Sequence, residues 1–296
     1  YDDRVAASVA RNNTFRGFFL LWCAAVSLAI CLESARAPQH GFAWQGALCV
    51  RGVFGGIIAL AIAWPNRKYF VYFHWKLILR SLLLTFYTIW MFYAVTKITS
   101  ADVTTITSTQ PLWIAILSMV FLKKKYSWLF WIAGSIVVVG MALLVDAKPP
   151  EAYSVIVLLL LFTVMRAISI MMIRSMMEIP ATVIAYHYAI VVGIFGVVIF
   201  FVEGGHQHLD VVFDGTGTVL LLVVAATASI YQALVAKVVQ ILGSISGTVG
   251  IMIATVIVYF LGVGKAGYSF NTVHILGLIL IIVPTLWIIC SKQVAR

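Results

Sequence analysis

VIVLLLLF at residues 155–162 is apolar at every position, and LILIIV at 278–283 repeats that character near the other end of the chain. Neither run alternates. A strand in a membrane barrel runs about 10 residues and alternates strictly between lipid and lumen. Backbone groups find no water partner in a bilayer, so only helices and closed barrels span it. The absence of alternation selects helices. Working outward, ten apolar stretches fill the chain: 15–35, 44–64, 72–94, 99–122, 127–146, 152–173, 181–202, 216–237, 243–262 and 270–290. Each is about 20 residues, the length of helix that crosses a hydrocarbon core of about 30 Å. The expected fold is an all-α membrane protein with ten transmembrane helices.

Composition agrees. Of 296 residues, 63% are hydrophobic and 10% charged, and the mean hydropathy is +1.06. The longest polar gap, Glu203 to Gly215, leaves no room for a soluble domain. The formal charge of +10 would suit nucleic acid, but there is no basic groove or aromatic platform outside the membrane. The basic residues follow the positive-inside rule instead. With a cytoplasmic N-terminus, 13 Lys and Arg fall on inside segments and 4 (Arg36, Lys97, Lys148, Lys265) on outside ones. Arg51, Arg80 and Arg166 lie within apolar stretches. Both termini are therefore expected in the cytoplasm. Cys23, Cys31, Cys49 and Cys290 sit in apolar stretches and form no CxxC pair, which reads as small buried hydrophobes. The first run is too long for a signal-peptide core and reads as the first helix.

Pro38, Pro65, Pro149, Pro150 and Pro180 fall in gaps, where proline disrupts no helix. Trp44, Trp64, Trp75, Trp128 and Tyr153 mark membrane boundaries. The Lys-Pro-Pro-Glu segment at 148–151 divides the stretches five and five. The expected organisation is an N-terminal tail at 1–14, a first five-helix repeat at 15–147, the linker at 148–151, a second repeat at 152–291 and a tail at 292–296. Ala94–Val103 (AVTKITSADV) can be laid on Ala236–Ile245 (AKVVQILGSI), and Gly134 and Gly140 set against Gly277. Five is odd, so the second half starts on the opposite side and the repeats are inverted. Secondary transporters are commonly built this way, with the substrate near the midplane.

Several segments carry a family resemblance: Arg51-Gly-Val-Phe, Leu79-Arg80-Ser-Leu-Leu, Tyr93-Ala94-Val, Thr99-Ser100-Ala101-Asp102, Thr109-Gln110-Pro111-Leu112-Trp113, Phe121–Lys125 and Ile173-Arg174. In order and spacing the chain resembles the drug/metabolite transporter superfamily, and within it the ten-helix EamA-type members. Gly277 through Pro284 to Ser291-Lys292 resembles the end of the subgroup containing S-adenosylmethionine permeases. Two features depart from the family. Lys123–Lys125 replaces the acidic residue usual after the fourth helix. The ninth stretch has Met252-Ile253 where many members place a proline opposite Pro111.

Charges within the membrane are the most informative polar groups, because each costs at least about 2.5–3.5 kcal/mol at mid-helix. Arg166 lies mid-stretch and either faces a substrate anion or forms a structural ion pair. Arg51 suits a gating pair as well as substrate contact. Arg80 suits gating, or snorkelling to headgroups. Asp102 is a helix N-cap or a coupling group, and Glu33 is similarly open. The fourth stretch is rich in hydroxyls around Thr105 and Thr109, next to Pro111, and reads as a polar cavity wall. Tyr87, Trp90 and Tyr188 offer rings that could stack on a planar substrate. His206-x-His208 with Asp210 and Asp214 reads as a solvated loop, not a metal site. Gly215-x-Gly217 lacks a phosphate fingerprint.

The expected substrate-binding set is Arg166, Thr105, Thr109, Tyr87, Trp90, Arg51 and Tyr188, with Asp102, Arg80 and Glu33 in gating or coupling. No cofactor, metal or catalytic residue is expected. The partners are a small-molecule substrate and the lipid bilayer, with a homodimer left open, in a plasma (inner) or organelle membrane. The function is secondary transport of a small organic metabolite bearing a carboxylate or phosphate. The alternatives are an intramembrane enzyme, which would need a nucleophile or paired acids, and a channel or receptor. In a cysteine-free background, cysteines placed at Gln207 and Ser291 should react with impermeant reagent from opposite sides. Reaction of both from one side would refute the ten-crossing topology.

Overall fold

The computed structural model describes residues 2–36, 44–70, 74–98, 100–123, 125–144, 150–203, 215–262 and 272–290. The α-helices are α1 (Asp2–Arg36), α2 (Trp44–Ala63), α3 (Trp75–Lys97), α4 (Ser100–Thr107), α5 (Gln110–Leu122) and α6 (Trp128–Leu144). They continue as α7 (Pro150–Ile173), α8 (Ala181–Val202), α9 (Gly215–Leu242), α10 (Ser244–Gly262) and α11 (Thr272–Cys290). Short 3-10 turns follow α2 at Trp64–Tyr69 and α7 at Arg174–Met176. No strand occurs among the described residues.

Among the described residues every apolar stretch forms helix, and the fourth is divided between α4 and α5. Among the described residues, six segments are long and apolar enough to cross a membrane: Phe15–Ala35, Trp44–Tyr69, Trp75–Lys97, Tyr153–Met176, Ala181–Val202 and Gly217–Leu242. Gln110–Leu122 and Trp128–Gly140 are shorter apolar helices. Helix α1 starts at Asp2, so the tail expected at 1–14 is mostly helical. The linker proline Pro150 opens α7, a position where its missing N–H would have no helical partner anyway.

The division at Ser108-Thr109 has a local cause. A proline ring collides with the carbonyl four residues back, which for Pro111 is that of Thr107, the last residue of α4. The freed groups find other partners. The Thr109 hydroxyl donates to the Ile106 carbonyl at 2.7 Å. The Thr109 carbonyl accepts from the Leu112 and Trp113 amides at 3.0 and 3.3 Å.

At the helix junctions, Ile98 N–H closes α3 on the Ala94 carbonyl (2.9 Å), and Gly243 N–H closes α9 on that of Val239 (3.0 Å). Gly243 adopts φ +95°, a left-handed turn that glycine makes without strain. Matching these two ends moves the internal alignment by three residues, setting Ala94 against Val239 instead of Ala236. The sequence matched alanines; the structure matches caps.

Packing joins the first half of the chain to the second. Helix α1 lies on α9, α2 on α8, α3 on α7, α6 on α11, and α10 on both α4 and α5. Lipid tails are as apolar as leucine, so burial from lipid gives little drive, and close approach and polar bonds hold such helices together. The closest approach is between α2 and α8. A Cβ on Gly52 would lie 2.4 Å from the Gly193 Cα, and one on Gly196 would lie 2.9 Å from the Leu48 carbonyl. Gln45 Nε2 donates to Glu203 at one end of this pair (2.8 Å), and Asn66 Nδ2 to Thr182 at the other (3.2 Å). The two helices are therefore antiparallel and pinned at both ends. In the same way, a Cβ on Gly140 of α6 would meet the Gly277 carbonyl of α11 at 2.8 Å.

Replacing Gly52 by leucine should lower stability by about 1–3 kcal/mol through overpacking, read as earlier thermal unfolding of the purified protein. Gly56→Ala, where an added Cβ meets nothing within 4 Å, should unfold at the native temperature. Equal effects of the two would refute the close-packing account.

Candidate functional site

Three arginines are sealed among the helices, with exposures of 6% for Arg51, 1% for Arg80 and 3% for Arg166. Helix spacing explains how they come together. On α3, Ser81, Thr85, Thr88 and Phe92 share one face and Arg80, Leu84, Tyr87 and Met91 the neighbouring one. All eight are buried, so α3 carries its polar groups into the bundle.

Arg166 projects from α7 between two tyrosines. Its Nη1 donates to the Tyr87 hydroxyl at 2.8 Å, and its Nη2 donates to the Tyr231 hydroxyl. The guanidinium also lies 4.8 Å from the Tyr87 ring centre and 5.9 Å from that of Tyr231. Bonds to a charged donor contribute about 1.5–3 kcal/mol each and cation–π contacts about 0.5–2. Together they offset the mid-membrane cost of about 2.5–3.5 kcal/mol. Tyr87 and Tyr231 stand on α3 and α9, so Arg166 links three helices.

Arg51, on α2, is less well held. Its Nη2 donates to the Tyr188 hydroxyl of α8 at 2.8 Å. That hydroxyl also pairs with Thr88 Oγ1 at 2.7 Å, and Thr88 donates to the Leu84 carbonyl at 2.8 Å. The rings of Tyr188 and Phe92 lie 5.4 and 5.6 Å from the guanidinium. Arg51 Nε and Nη1 are buried with no hydrogen-bond partner among the described residues. A cavity of about 10 Å³ lies beside it, lined by Arg51, Tyr188, Ser229 and Gln232 among others. That is space for about one water molecule.

Arg80 does not snorkel. Its Nη1 donates to the Ile184 carbonyl of α8 at 3.3 Å, and its Nε has no partner. Instead of reaching headgroups, the side chain is buried, because α8 covers α3 at this point. The partners of the three arginines among the described residues are hydroxyls, a carbonyl and ring faces.

The remaining expected residues scatter. Trp90 stacks on Phe162 (5.6 Å) and tilts against Tyr93 (5.0 Å), so Tyr87 and Trp90 do not form one stacking surface. The hydroxyl of Thr109 is spent on the helix break. The side chain of Thr105 lies outside the described residues. Asp102 is buried in the first turn of α4, where a carboxylate suits the helix dipole. Glu33 is half-buried near the end of α1. His206, His208, Asp210 and Asp214 lie outside the described residues.

Sequence reasoning missed Tyr231, Thr88, Gln232 and the weight of Gln110. The signal for the first and third was the polar-tipped pair Tyr231-Gln232 inside an apolar stretch. Gln110 is fully buried, and neither end of its amide has a partner. The buried Trp113 Nε1, Thr85 Oγ1 and Ser169 Oγ are also unpartnered. A buried polar group left unpaired costs about 1–3 kcal/mol, so these atoms mark places suited to a polar ligand or water.

Residues 15–146 match the EamA-like transporter family. The match supports the resemblance to drug/metabolite transporters and falls on the first half, α1 through α6. No curated protein matches the chain. A solved structure, described only as a crystal structure of a protein, superposes with a TM-score of 0.69. It covers 94% of this chain and 97% of its own at 11% identity, which is a likeness of fold. The apolar helices and the EamA-like match together point to an integral, multi-pass membrane protein.

Replacing Tyr188 by phenylalanine removes the one hydroxyl that holds Arg51. The loss should be about 1.5–3 kcal/mol, measured by thermal unfolding, and Thr88→Val should add little on top of it. Full additivity of the two substitutions would show that the Arg51–Tyr188–Thr88 chain does not act as a unit.

Proposed function

We propose that the protein is a secondary transporter that moves a small organic anion by alternating access. The observation that carries this reading is the trio of buried arginines whose partners are hydroxyls, a carbonyl and aromatic rings. None of these partners neutralises a charge. A substrate carboxylate or phosphate entering the bundle would do so. Arg51 supplies the free donors, on Nε and Nη1. Arg166, clamped by Tyr87 and Tyr231, supplies a fixed positive charge. The resemblance to EamA-type members admits amino acids, organic acids, nucleotides and S-adenosylmethionine, and the arginines favour those with an exposed anionic group. Gln110 and Trp113 on α5 offer neutral donors and an acceptor for the rest of such a molecule.

The helix pairings support the inverted-repeat construction. Exchange each of the ten stretches for the one five positions away. The second-with-seventh (α2 on α8) and fifth-with-tenth (α6 on α11) pairs map onto themselves. So does the fourth with the ninth (α4 and α5 on α10), and first-with-eighth (α1 on α9) maps onto third-with-sixth (α3 on α7). A two-fold relation between halves produces this pattern. Rocking of one half on the other would change the spacing of α3 and α9, and Arg166 bridges those helices through Tyr87 and Tyr231.

Uptake of labelled metabolites into proteoliposomes tests the reading. Arg51→Gln should abolish uptake of anionic substrates. Arg166→Lys should weaken binding at least about tenfold, equivalent to about 1.4 kcal/mol, because an ammonium cannot span both hydroxyls. Native uptake in both variants would remove the anionic substrate and leave the transporter fold.

A further inference from the structure

We propose that the groove on the outer face of the α2–α8 pair holds an acyl chain of an anionic phospholipid, with its headgroup on Arg67 and Lys68. The groove measures about 510 Å³ and is walled by Gly52, Gly56 and Leu60 of α2 and by Tyr186, Gly193 and Val198 of α8, among other apolar residues. Its two glycines on α2 differ. A side chain at Gly52 would collide with α8, whereas one at Gly56 would meet nothing within 4 Å. The protein therefore leaves the space beside Gly56 unfilled. From Tyr186 to Val198 the groove is about 18 Å long at 1.5 Å per residue, close to the half-thickness of a hydrocarbon core of about 30 Å.

The headgroup end is chemically distinct. Past Leu60, α2 runs into the 3-10 turn Trp64–Tyr69, whose sequence WPNRKY carries two cations and no acid. Arg67 and Lys68 are exposed. Each lies near a ring that holds it at the turn: Arg67 is 5.8 Å from the Trp64 centre, and Lys68 is 5.1 Å from that of Tyr69. Phe70, next after the turn, stacks on Tyr186 of the groove wall at 4.5 Å. An apolar slot one leaflet deep, with two exposed cations on the turn that follows its Leu60 end, is complementary to a lipid with a negative headgroup. This site does not depend on the transport reading.

The protein would be reconstituted in nanodiscs of equal phosphatidylglycerol and phosphatidylcholine, released, and weighed by native mass spectrometry. The native chain should retain phosphatidylglycerol in preference. Arg67→Gln with Lys68→Gln, both on the surface, should cut that preference about tenfold. Gly56→Phe should reduce retention of either lipid without changing the unfolding temperature. Equal retention of the two lipids by the native chain would overturn the proposal. So would an unchanged lipid count in Gly56→Phe, or a dimer that buries this face and excludes lipid.

Discussion

The contact of Gly52 with Gly193 sets the geometry on which the centre of the molecule depends. In lipid the apolar effect scarcely favours one helix partner over another, so backbones must meet closely for packing to be selective. Because α2 and α8 meet there, Arg51 is brought to the Tyr188 hydroxyl, and through it to Thr88 of α3. The same approach lets α8 cover Arg80, whose guanidinium then finds the Ile184 carbonyl instead of water. A larger residue at either glycine would push the helices apart and leave these donors unmatched. Small residues in one place and charged residues in another are two parts of one constraint.

The arginines themselves show how hydroxyls and ring faces can hold positive charge inside a membrane protein. Arg166 has two hydroxyls and two ring faces, and its account closes. Arg51 has one hydroxyl and two ring contacts, and its account does not. Both sit in the same bundle, at similar burial, and differ only in the number of polar partners within reach. On the proposed reading of an anionic substrate, that difference makes Arg51 the better place for the anion and Arg166 the better structural tie. Sequence alone ranked Arg166 first. Arg166 lies deeper in its apolar run, so depth suggested function, while its partners lay on α3 and α9, far away in sequence.

The fold was more legible than the site. Hydrophobic run length, the absence of alternation and the position of prolines give the helices of the apolar stretches, because these are local properties, but not the extension of α1 back to Asp2. Pro111 likewise announced a break, and the break falls where its ring meets the Thr107 carbonyl. What could not be read was pairing. Tyr231 looks like any aromatic in an apolar stretch until α9 brings it to Arg166. Trp90 looked like a partner of Tyr87 by helical spacing, but Phe162 of α7 captured it. Even the internal alignment slid by three residues, since alanine identities are weaker markers than the capping bonds of Ile98 and Gly243.

The break between α4 and α5 makes the two halves chemically unequal. Helix α10, which lies against both pieces, runs unbroken from Ser244 to Gly262 and has no proline opposite Pro111. An intact helix satisfies its own backbone and offers neighbours only side chains. A broken one offers backbone groups too, and here Thr109 turns its hydroxyl back to satisfy a carbonyl at the gap. The next residue, Gln110, then stands fully buried with a donor and an acceptor unused. Such an amide is costly to keep in an apolar bundle, and leucine would fill the volume without that cost. Gln110 stands beside the break that Pro111 makes between α4 and α5, so the unused amide and the interrupted backbone put polar groups at the same place in the bundle.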